Sequence, residues 1–164
     1  MAGLDRGALL RYIRAQFALD WRGIHGAPHW ARVLDNGLAV AERSGARADV
    51  VELFAFFHDS RRINDGWDEY HGHRGAEFAA ELRGRYFEID DAGMTLLTFA
   101  CQGHSDGHID ADVTVQTCWD ADRLDLGRVG TMPDPKRLCT PAARERAMIE
   151  WAYRRSIGKA SRRT

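Results

Sequence analysis

The sequence predicts a single all-α domain, and three features lead to that prediction. Apolar residues recur every three to four positions along most of the chain, which is the spacing of an amphipathic helix. Runs of β-branched residues, which would indicate strands, are few. The chain has 164 residues, a length typical of one domain with a buried core. We expect one helical bundle over residues 1–157 and a basic, flexible tail over residues 158–164.

The first three expected helices cover residues 4–20, 28–44 and 48–61. The first carries Leu9, Ile13 and Phe17 at intervals of four, which places them on one helix face. The second begins at Pro28, a residue favoured at the first helical position, and stops at Gly45. The third is apolar nearly all round, so we expect it in the middle of the bundle.

The other four expected helices cover residues 69–83, 91–104, 112–126 and 141–157. A polar segment, residues 64–68, precedes the first of these and is typical of a loop. The helix at 91–104 has Asp90 or Asp91 as its cap, because a carboxylate can accept from free N–H groups of the first turn. The last helix begins with Thr140 as cap and Pro141 at the first position.

Composition limits the function classes to which the chain can belong. Its 23 basic and 24 acidic side chains give a formal net charge of −1, whereas nucleic-acid binders usually carry a clear basic excess. No apolar run approaches the roughly 18 residues of a membrane span. Asp5, Arg6 and Arg11 stand where a signal peptide would need an apolar stretch. We therefore expect a cytoplasmic protein with free thiols, outside the membrane and without a nucleic-acid partner.

Asp122 is a candidate functional residue because the rest of its helix face is apolar. Cys118 lies four residues before it and Leu126 four residues after it, at the spacing of a shared face. A carboxylate that faces the core is costly unless a cation or hydrogen-bond donors meet it. Asp120 lies on a more polar face beside Arg123, and we expect it to be more exposed.

The seven histidines all fall between positions 25 and 108, and the same comparison of helix faces divides them. Four share a face with apolar residues, namely His29, His58, His71 and His104. The other three are interpreted as bystanders or substrate contacts, namely His25, His73 and His108. Asp59, directly after His58, also belongs to the buried helix.

Four histidines and two aspartates therefore face the core of one small bundle. Each would be costly to bury by itself. Around a metal ion they can be buried together, and helix bundles build metal sites in this way. Imidazole and carboxylate ligands suit Mn, Fe, Co, Ni or Zn better than Mg, which prefers oxygen ligands. The sequence therefore indicates a transition-metal site.

The order of these residues resembles the H…HD…D motif of the HD-domain superfamily, a family of all-helical, metal-dependent phosphohydrolases. His29, the adjacent pair His58 and Asp59, and Asp122 within DADRLD follow that order. The flanking stretches HGAPHWARV and GHRGAEFA are also similar, and the resemblance spans residues 25–130. It implies a helical bundle of the HD type, in which these four residues bind a metal ion.

The resemblance also implies the chemistry. The metal would polarise a phosphoryl oxygen and supply a hydroxide nucleophile near neutral pH, with His58, Asp59 and Asp122 as the catalytic set. His71 and His104 are placed like the additional histidines of two-metal members, so one or two divalent ions are implied. The implied substrate is a small phosphorylated molecule, first of all a nucleotide, cleaved at a phosphomonoester or pyrophosphate bond.

The sequence departs from the family pattern at Arg62, where some HD nucleotidases carry a glutamate that positions the attacking water. The general base is therefore left open between metal-bound hydroxide alone and four acids, namely Asp65, Asp68, Glu69 and Asp120. Arg61, Arg62 and Arg74 lie close in sequence to the implied ligands. They are candidates to bind phosphate, because a guanidinium fork matches its oxygens.

Two other functions fit the same residues. Some HD-fold proteins hold two irons and activate oxygen, and His71 and His104 would supply the extra ligands. A non-catalytic metal or nucleotide sensor would use the same pocket. The metal content of the protein and the presence or absence of turnover separate these functions. The oligomeric state is not indicated by the sequence.

Overall fold

The computed structural model describes residues 3–158, which form eight α-helices and no β-strand. The helices are α1 Arg6–Gln16, α2 Ala27–Ser44, α3 Ala48–Phe57, α4 His71–Leu82, α5 Asp91–Gly103, α6 Val113–Arg123, α7 Pro141–Arg144 and α8 Arg146–Ser156. Two short 3-10 helices, Leu126–Val129 and Pro135–Arg137, lie between α6 and α7. The all-α prediction is confirmed, whereas nearly all of the expected tail lies outside the described residues.

Several helix ends lie at the residues that the sequence indicates. Asp90 caps α5 and accepts a hydrogen bond from the N–H of Gly93 at 2.7 Å. Thr140 caps α7 through its side-chain hydroxyl. Gly45 follows α2 with a φ of 79°, a left-handed conformation that glycine adopts without steric cost. Among residues 3–158, no helix combines the length and apolar character needed to cross a membrane.

Other helices are shorter than expected. α3 ends at Phe57, because the chain turns there and both the N–H and the hydroxyl of Ser60 bond to the Phe57 carbonyl. α1 ends at Gln16, where Phe17 adopts an extended conformation. The helix expected over 141–157 is divided in two by Glu145, which is also extended and forms an ion pair with Arg43. Helical periodicity alone does not reveal the hydrogen bonds and extended residues that end these helices early.

α3 lies at the centre of the bundle, as its apolar sequence predicts. Val50, Val51, Phe54 and Phe57 are completely buried. The helix contacts α2, α4, α5 and α6, so it is surrounded by four other helices. A smaller apolar cluster, built around Leu138, packs α7 and α8 onto α2.

Two glycines let α4 lie directly against neighbouring backbone. A Cβ at Gly72 would overlap the Cys101 carbonyl of α5, and a Cβ at Gly75 would overlap the Phe57 carbonyl of α3. Only glycine allows helices to approach this closely. The first residue of α4, His71, is thereby brought beside the C-terminal ends of α3 and α5.

Candidate metal centre

His29 from α2, His58 and Asp59 from the end of α3, and Asp122 from α6 meet in the bundle core; we term them the first ligand group. The Nε2 atom of His29 lies 3.1 Å from Nε2 of His58 and 3.2 Å from Oδ1 of Asp122. The Oδ2 atom of Asp59 lies 3.5 Å from Nε2 of His29 and 3.4 Å from Nε2 of His58. Ligand atoms around one transition-metal ion are about 3.0–3.4 Å apart, given bond lengths of about 2.1 Å.

The other oxygen of Asp59 faces a second ligand group, formed with His71 at the start of α4 and His104 after α5. Oδ1 of Asp59 lies 3.4 Å from Nε2 of His71 and 3.6 Å from Nε2 of His104. The two histidine nitrogens are 2.8 Å apart. One carboxylate therefore offers one oxygen to each group, which is the arrangement of a ligand that bridges two ions.

Each of these four histidines has its other ring nitrogen, Nδ1, held by an oxygen atom. The oxygens are Oδ2 of Asp125 for His29 and the backbone carbonyls of Phe54, Asp68 and Cys101 for His58, His71 and His104. Because these oxygens accept, each Nδ1 carries the hydrogen and each Nε2 presents a lone pair. Two such lone pairs face each other in each group and need a cation or proton between them. The donor set therefore fits metal ions.

The side chains of the first ligand group also shift one another's pKa. Burial opposes a charge on His29, but hydrogen bonds with Asp122, Asp125 and Asp59 raise its pKa to about 10. Burial lowers the pKa of His58 to about 4. The neighbouring histidines outweigh burial and hold the pKa of Asp59 and of Asp122 below the usual range. Without metal, a proton on His29 offsets part of the charge of the carboxylates.

We expect the first ion to bind more tightly as the pH rises, because His29 must lose its proton to become a ligand. The pKa of His29 in the metal-free protein is about 10, so the dissociation constant for Co²⁺ should fall about tenfold per pH unit from about pH 7 to about pH 8.5. Calorimetry in buffers of different ionisation enthalpy measures the proton released. Binding without proton release in this range would contradict the prediction.

The same proton affects stability. The pKa of His29 is raised by folding from 6.5 to about 10. Its contribution to the stability of the metal-free protein is therefore fully present below about pH 6.5 and is lost as the pH rises towards about 10.

Asp125 is a site residue that the sequence reasoning did not single out. It is completely buried, and its Oδ2 lies 2.6 Å from Nδ1 of His29. Its Oδ1 accepts from Nε of Arg32 at 2.7 Å. Asp125 stands three residues after Asp122, the spacing of a shared helix face. That spacing is the signal in the sequence that could have identified it.

The expectation that Asp120 is more exposed than Asp122 is wrong. Asp120 is completely buried, and its carboxylate accepts from the N–H groups of Cys139 and Thr140 at 2.6 Å and 2.8 Å. The Thr140 hydroxyl donates to it as well, at 2.7 Å. The segment before α7 folds back over this face of α6, and such a long-range contact does not show in helical periodicity. Asp120 anchors the start of α7, and we propose no catalytic role for it.

Arg62 contacts one of the ligand candidates directly. Its Nε donates to Oδ1 of Asp59 at 3.0 Å, and its Nη1 donates to the carbonyls of Asn64 and Gly66 at 3.4 Å and 3.2 Å. The side chain is 12% exposed. Arg62 therefore connects Asp59 to the polar loop that follows α3. A role in phosphate binding stays a prediction.

Arg74 and Arg61 are also engaged with protein groups. Arg74 Nη2 donates to both carboxylate oxygens of Asp68 at 2.6 Å, and this pair fixes the loop next to His71. Arg61 Nη1 donates to Gln16 at 3.3 Å, and its guanidinium carbon lies 4.9 Å from the centre of the Phe78 ring. Their predicted contacts with substrate phosphate remain untested.

The remaining sequence candidates lie in different surroundings. Asp65 is paired with His25, which is buried. Glu69, His73 and His108 are exposed. None of these five residues belongs to the two ligand groups.

A pocket of about 690 Å³ opens beside the ligand groups, and Asp122 and His104 form part of its wall. Most of the remaining lining comes from the connector between α6 and α7, from Leu126 to Leu138. Arg123, Arg128 and Arg137 bring positive charge to the lining. The sequence predicts only a connector at residues 130–135, because nothing local indicates that they fold against the site.

No protein-family model matches this sequence, and no curated protein matches it. Among solved structures, the chain is similar to a predicted HD superfamily hydrolase from an uncultured Thermotogales bacterium, with 25% sequence identity and a TM-score of 0.70. The similarity covers 97% of this chain and 91% of that chain. It confirms the resemblance to the HD-domain superfamily and supports hydrolase activity in general. The buried histidine and aspartate groups could hold metal ions.

Proposed function

From the HD-domain fold of the chain, we propose that the protein is a metal-dependent phosphohydrolase. It would use a metal-activated water to cleave a phosphomonoester or pyrophosphate bond of a small phosphorylated molecule, with nucleotides as the first substrate class. The observation that carries this proposal is the position of Asp59, whose two oxygens lie within 3.6 Å of histidine Nε2 atoms from two separate groups. The three free cysteines of the protein support a reducing, cytoplasmic location.

We assign metal binding and positioning to different residues of the site. The first ligand group would hold one divalent ion (Mn, Co, Ni, Fe or Zn), and the second group would hold another. An ion bound there would supply a Lewis acid for the phosphoryl oxygen and would lower the pKa of bound water. Asp125 fixes the tautomer and orientation of His29 through Nδ1. Arg62 fixes Asp59 through Oδ1.

The volume and the arginines of the pocket are suited to an anionic substrate of nucleotide size. Its volume of about 690 Å³ falls within the range of about 300–1,000 Å³ for small-molecule sites. Arg123 and Arg128 donate to backbone carbonyls. The Arg137 guanidinium, by contrast, has no hydrogen-bond or ion-pair partner within residues 3–158. An unpaired guanidinium at a pocket wall is suited to bind an anionic group of the substrate.

We expect Arg137→Ala to raise the KM for a nucleotide substrate about tenfold with little change in kcat, because the guanidinium would bind substrate without reacting. Lys136→Ala is the matched control, since this neighbouring cation does not line the pocket. Steady-state kinetics with both variants measures the difference. An unchanged KM in Arg137→Ala would exclude this contact.

The proposed activity is tested by a metal-resolved screen. The protein is stripped with a chelator, reloaded separately with Mn²⁺, Co²⁺, Ni²⁺, Fe²⁺ or Zn²⁺, and supplied with nucleoside mono-, di- and triphosphates and p-nitrophenyl phosphate. Identification of the products separates phosphate from pyrophosphate release. We expect turnover with at least one metal and its loss in His58→Ala. Equal rates in the parent and in His58→Ala would refute the proposal.

A second candidate is a diiron oxygenase. The second ligand group favours it, because His71 and His104, together with Oδ1 of Asp59, would supply ligands for a second iron. Two irons per chain with oxygen-dependent turnover would identify this function. Phosphate release that does not depend on oxygen would identify the hydrolase.

A further inference from the structure

His25 and Asp65 form a pair outside the two ligand groups. Nδ1 of His25 lies 2.7 Å from Oδ1 of Asp65, and the side chains are 8% and 53% exposed. Because the carboxylate accepts, Nδ1 donates, and the lone pair of the imidazole is on Nε2. No group within residues 3–158 hydrogen-bonds to that Nε2. Since no fully enclosed side-chain nitrogen or oxygen in this range lacks a partner, Nε2 is accessible to water.

Arg62 connects this pair to Asp59. Its Nε donates to Oδ1 of Asp59 at 3.0 Å. Its Nη1 donates to the carbonyls of Asn64 and Gly66, the residues directly before and after the paired acid, Asp65. The loop that carries Asp65 is therefore held against a ligand candidate of the metal centre.

A second set of contacts connects the backbone beside His25 to His29. Arg128 donates to the carbonyl of Ile24 at 2.8 Å and to the carbonyl of Asp125 at 3.1 Å. The Asp125 side chain in turn holds Nδ1 of His29 at 2.6 Å. His25 is thus anchored from two sides, and each set of contacts ends on a ligand candidate.

The charges around His25 come from the same segments. Burial lowers its pKa below 6.5, Asp65 and Asp59 act to raise it, and Arg62 and Arg128 act to lower it. The net effect is a lowered pKa, so the imidazole is neutral at neutral pH. In that form Nε2 can accept a proton.

We propose that His25 accepts a proton from the attacking water and that Asp65 positions it. This inference rests on the proposed phosphohydrolase function. It names the general base, which the sequence leaves open among four acidic residues and metal-bound hydroxide. Asp68 is bound to Arg74, whereas Asp65 acts through His25.

The proton and bond changes in this step balance. The water oxygen forms a bond to phosphorus while the bond from phosphorus to the leaving oxygen breaks, and the water proton moves to Nε2 of His25. The leaving oxygen takes a proton from solvent. The imidazolium, stabilised by Asp65, then returns its proton to solvent.

The test compares His25→Gln, Asp65→Asn and the control His73→Gln, which changes an exposed histidine. With p-nitrophenyl phosphate and with a nucleoside monophosphate, we expect His25→Gln to lower kcat about 10²-fold with KM and metal content unchanged. The acidic limb of the kcat–pH profile should disappear. In Asp65→Asn this limb should move to lower pH, because the acid that raises the pKa of His25 is gone. His73→Gln should match the parent.

An NMR titration of the metal-free protein gives a readout independent of activity. The ring of His25 should titrate below about 6.5, and lower still in Asp65→Asn. If the parent is active and His25→Gln keeps both its rate and the acidic limb of its kcat–pH profile, the proposal is overturned. Loss of metal from His25→Gln would overturn it as well. The fall in kcat of His25→Gln can also be compared between leaving groups of different pKa. If the fall were larger for the leaving group of higher pKa, His25 would be the general acid, and its role as proton acceptor would be overturned. A parent inactive with every metal would instead refute the proposed function.

Discussion

Asp59→Ala is expected to abolish phosphate release and to empty both ligand groups of metal. Asp59 gives Oδ2 to the first group and Oδ1 to the second, and no other described residue contacts histidine Nε2 atoms of both groups. The substitution leaves the first group with three ligands and the second with two. We expect kcat/KM to fall at least about 10³-fold, which corresponds to about 4 kcal/mol of transition-state stabilisation.

Metal content by mass spectrometry and steady-state kinetics measure this effect together. Glu52→Ala is the matched control, because Glu52 lies on the same helix and pairs with Arg6 at the surface. The control should keep both metal and activity. Two ions per chain in Asp59→Ala would contradict the bridging role.

Asp125→Ala is expected to weaken binding of the first ion about 10- to 100-fold, because the variant no longer fixes Nδ1 of His29. It should also lower the free energy of unfolding of the metal-free protein by about 2–3 kcal/mol. The reason is that the variant leaves Arg32, whose side chain is 21% exposed, without its buried partner. The solvent that reaches Arg32 keeps this loss below that of a fully buried pair.

Competition with a fluorescent chelator measures the affinity, and urea unfolding of the metal-free protein measures the stability. Asp35→Ala is the control, since Asp35 is largely exposed and pairs with Arg155 at the surface. The control should alter neither quantity appreciably. An affinity in Asp125→Ala within about twofold of the parent would show that the carboxylate does not support the site.

The sequence predicts well the features that depend on residues within one helix. The apolar faces around His29 and His58 correctly indicated buried side chains, because three- and four-residue spacing determines what shares a face. Asp122, on another apolar face, lies beside them at the pocket wall. The apolar character of α3 likewise predicted its central position. The motif order then indicated which helices had to meet, and the structure brings those residues together.

The features that the sequence did not predict depend on contacts between distant segments. Asp120 is buried because residues 139 and 140 fold back over it. Arg74, a candidate for phosphate binding, is paired with Asp68 by the path of a loop. The pocket wall near Arg137 is formed by the α6–α7 connector. Helical periodicity contains no information about such contacts, because each depends on tertiary packing.

Anomalous diffraction from crystals soaked in Mn²⁺ tests the central claim most directly, since it locates the ions without reference to activity. We expect two peaks, one in each ligand group, with Oδ2 of Asp59 on the first ion and Oδ1 on the second. Manganese bound elsewhere in the molecule, or an Asp59 that contacts no ion, would contradict the claim that this carboxylate organises a two-metal centre.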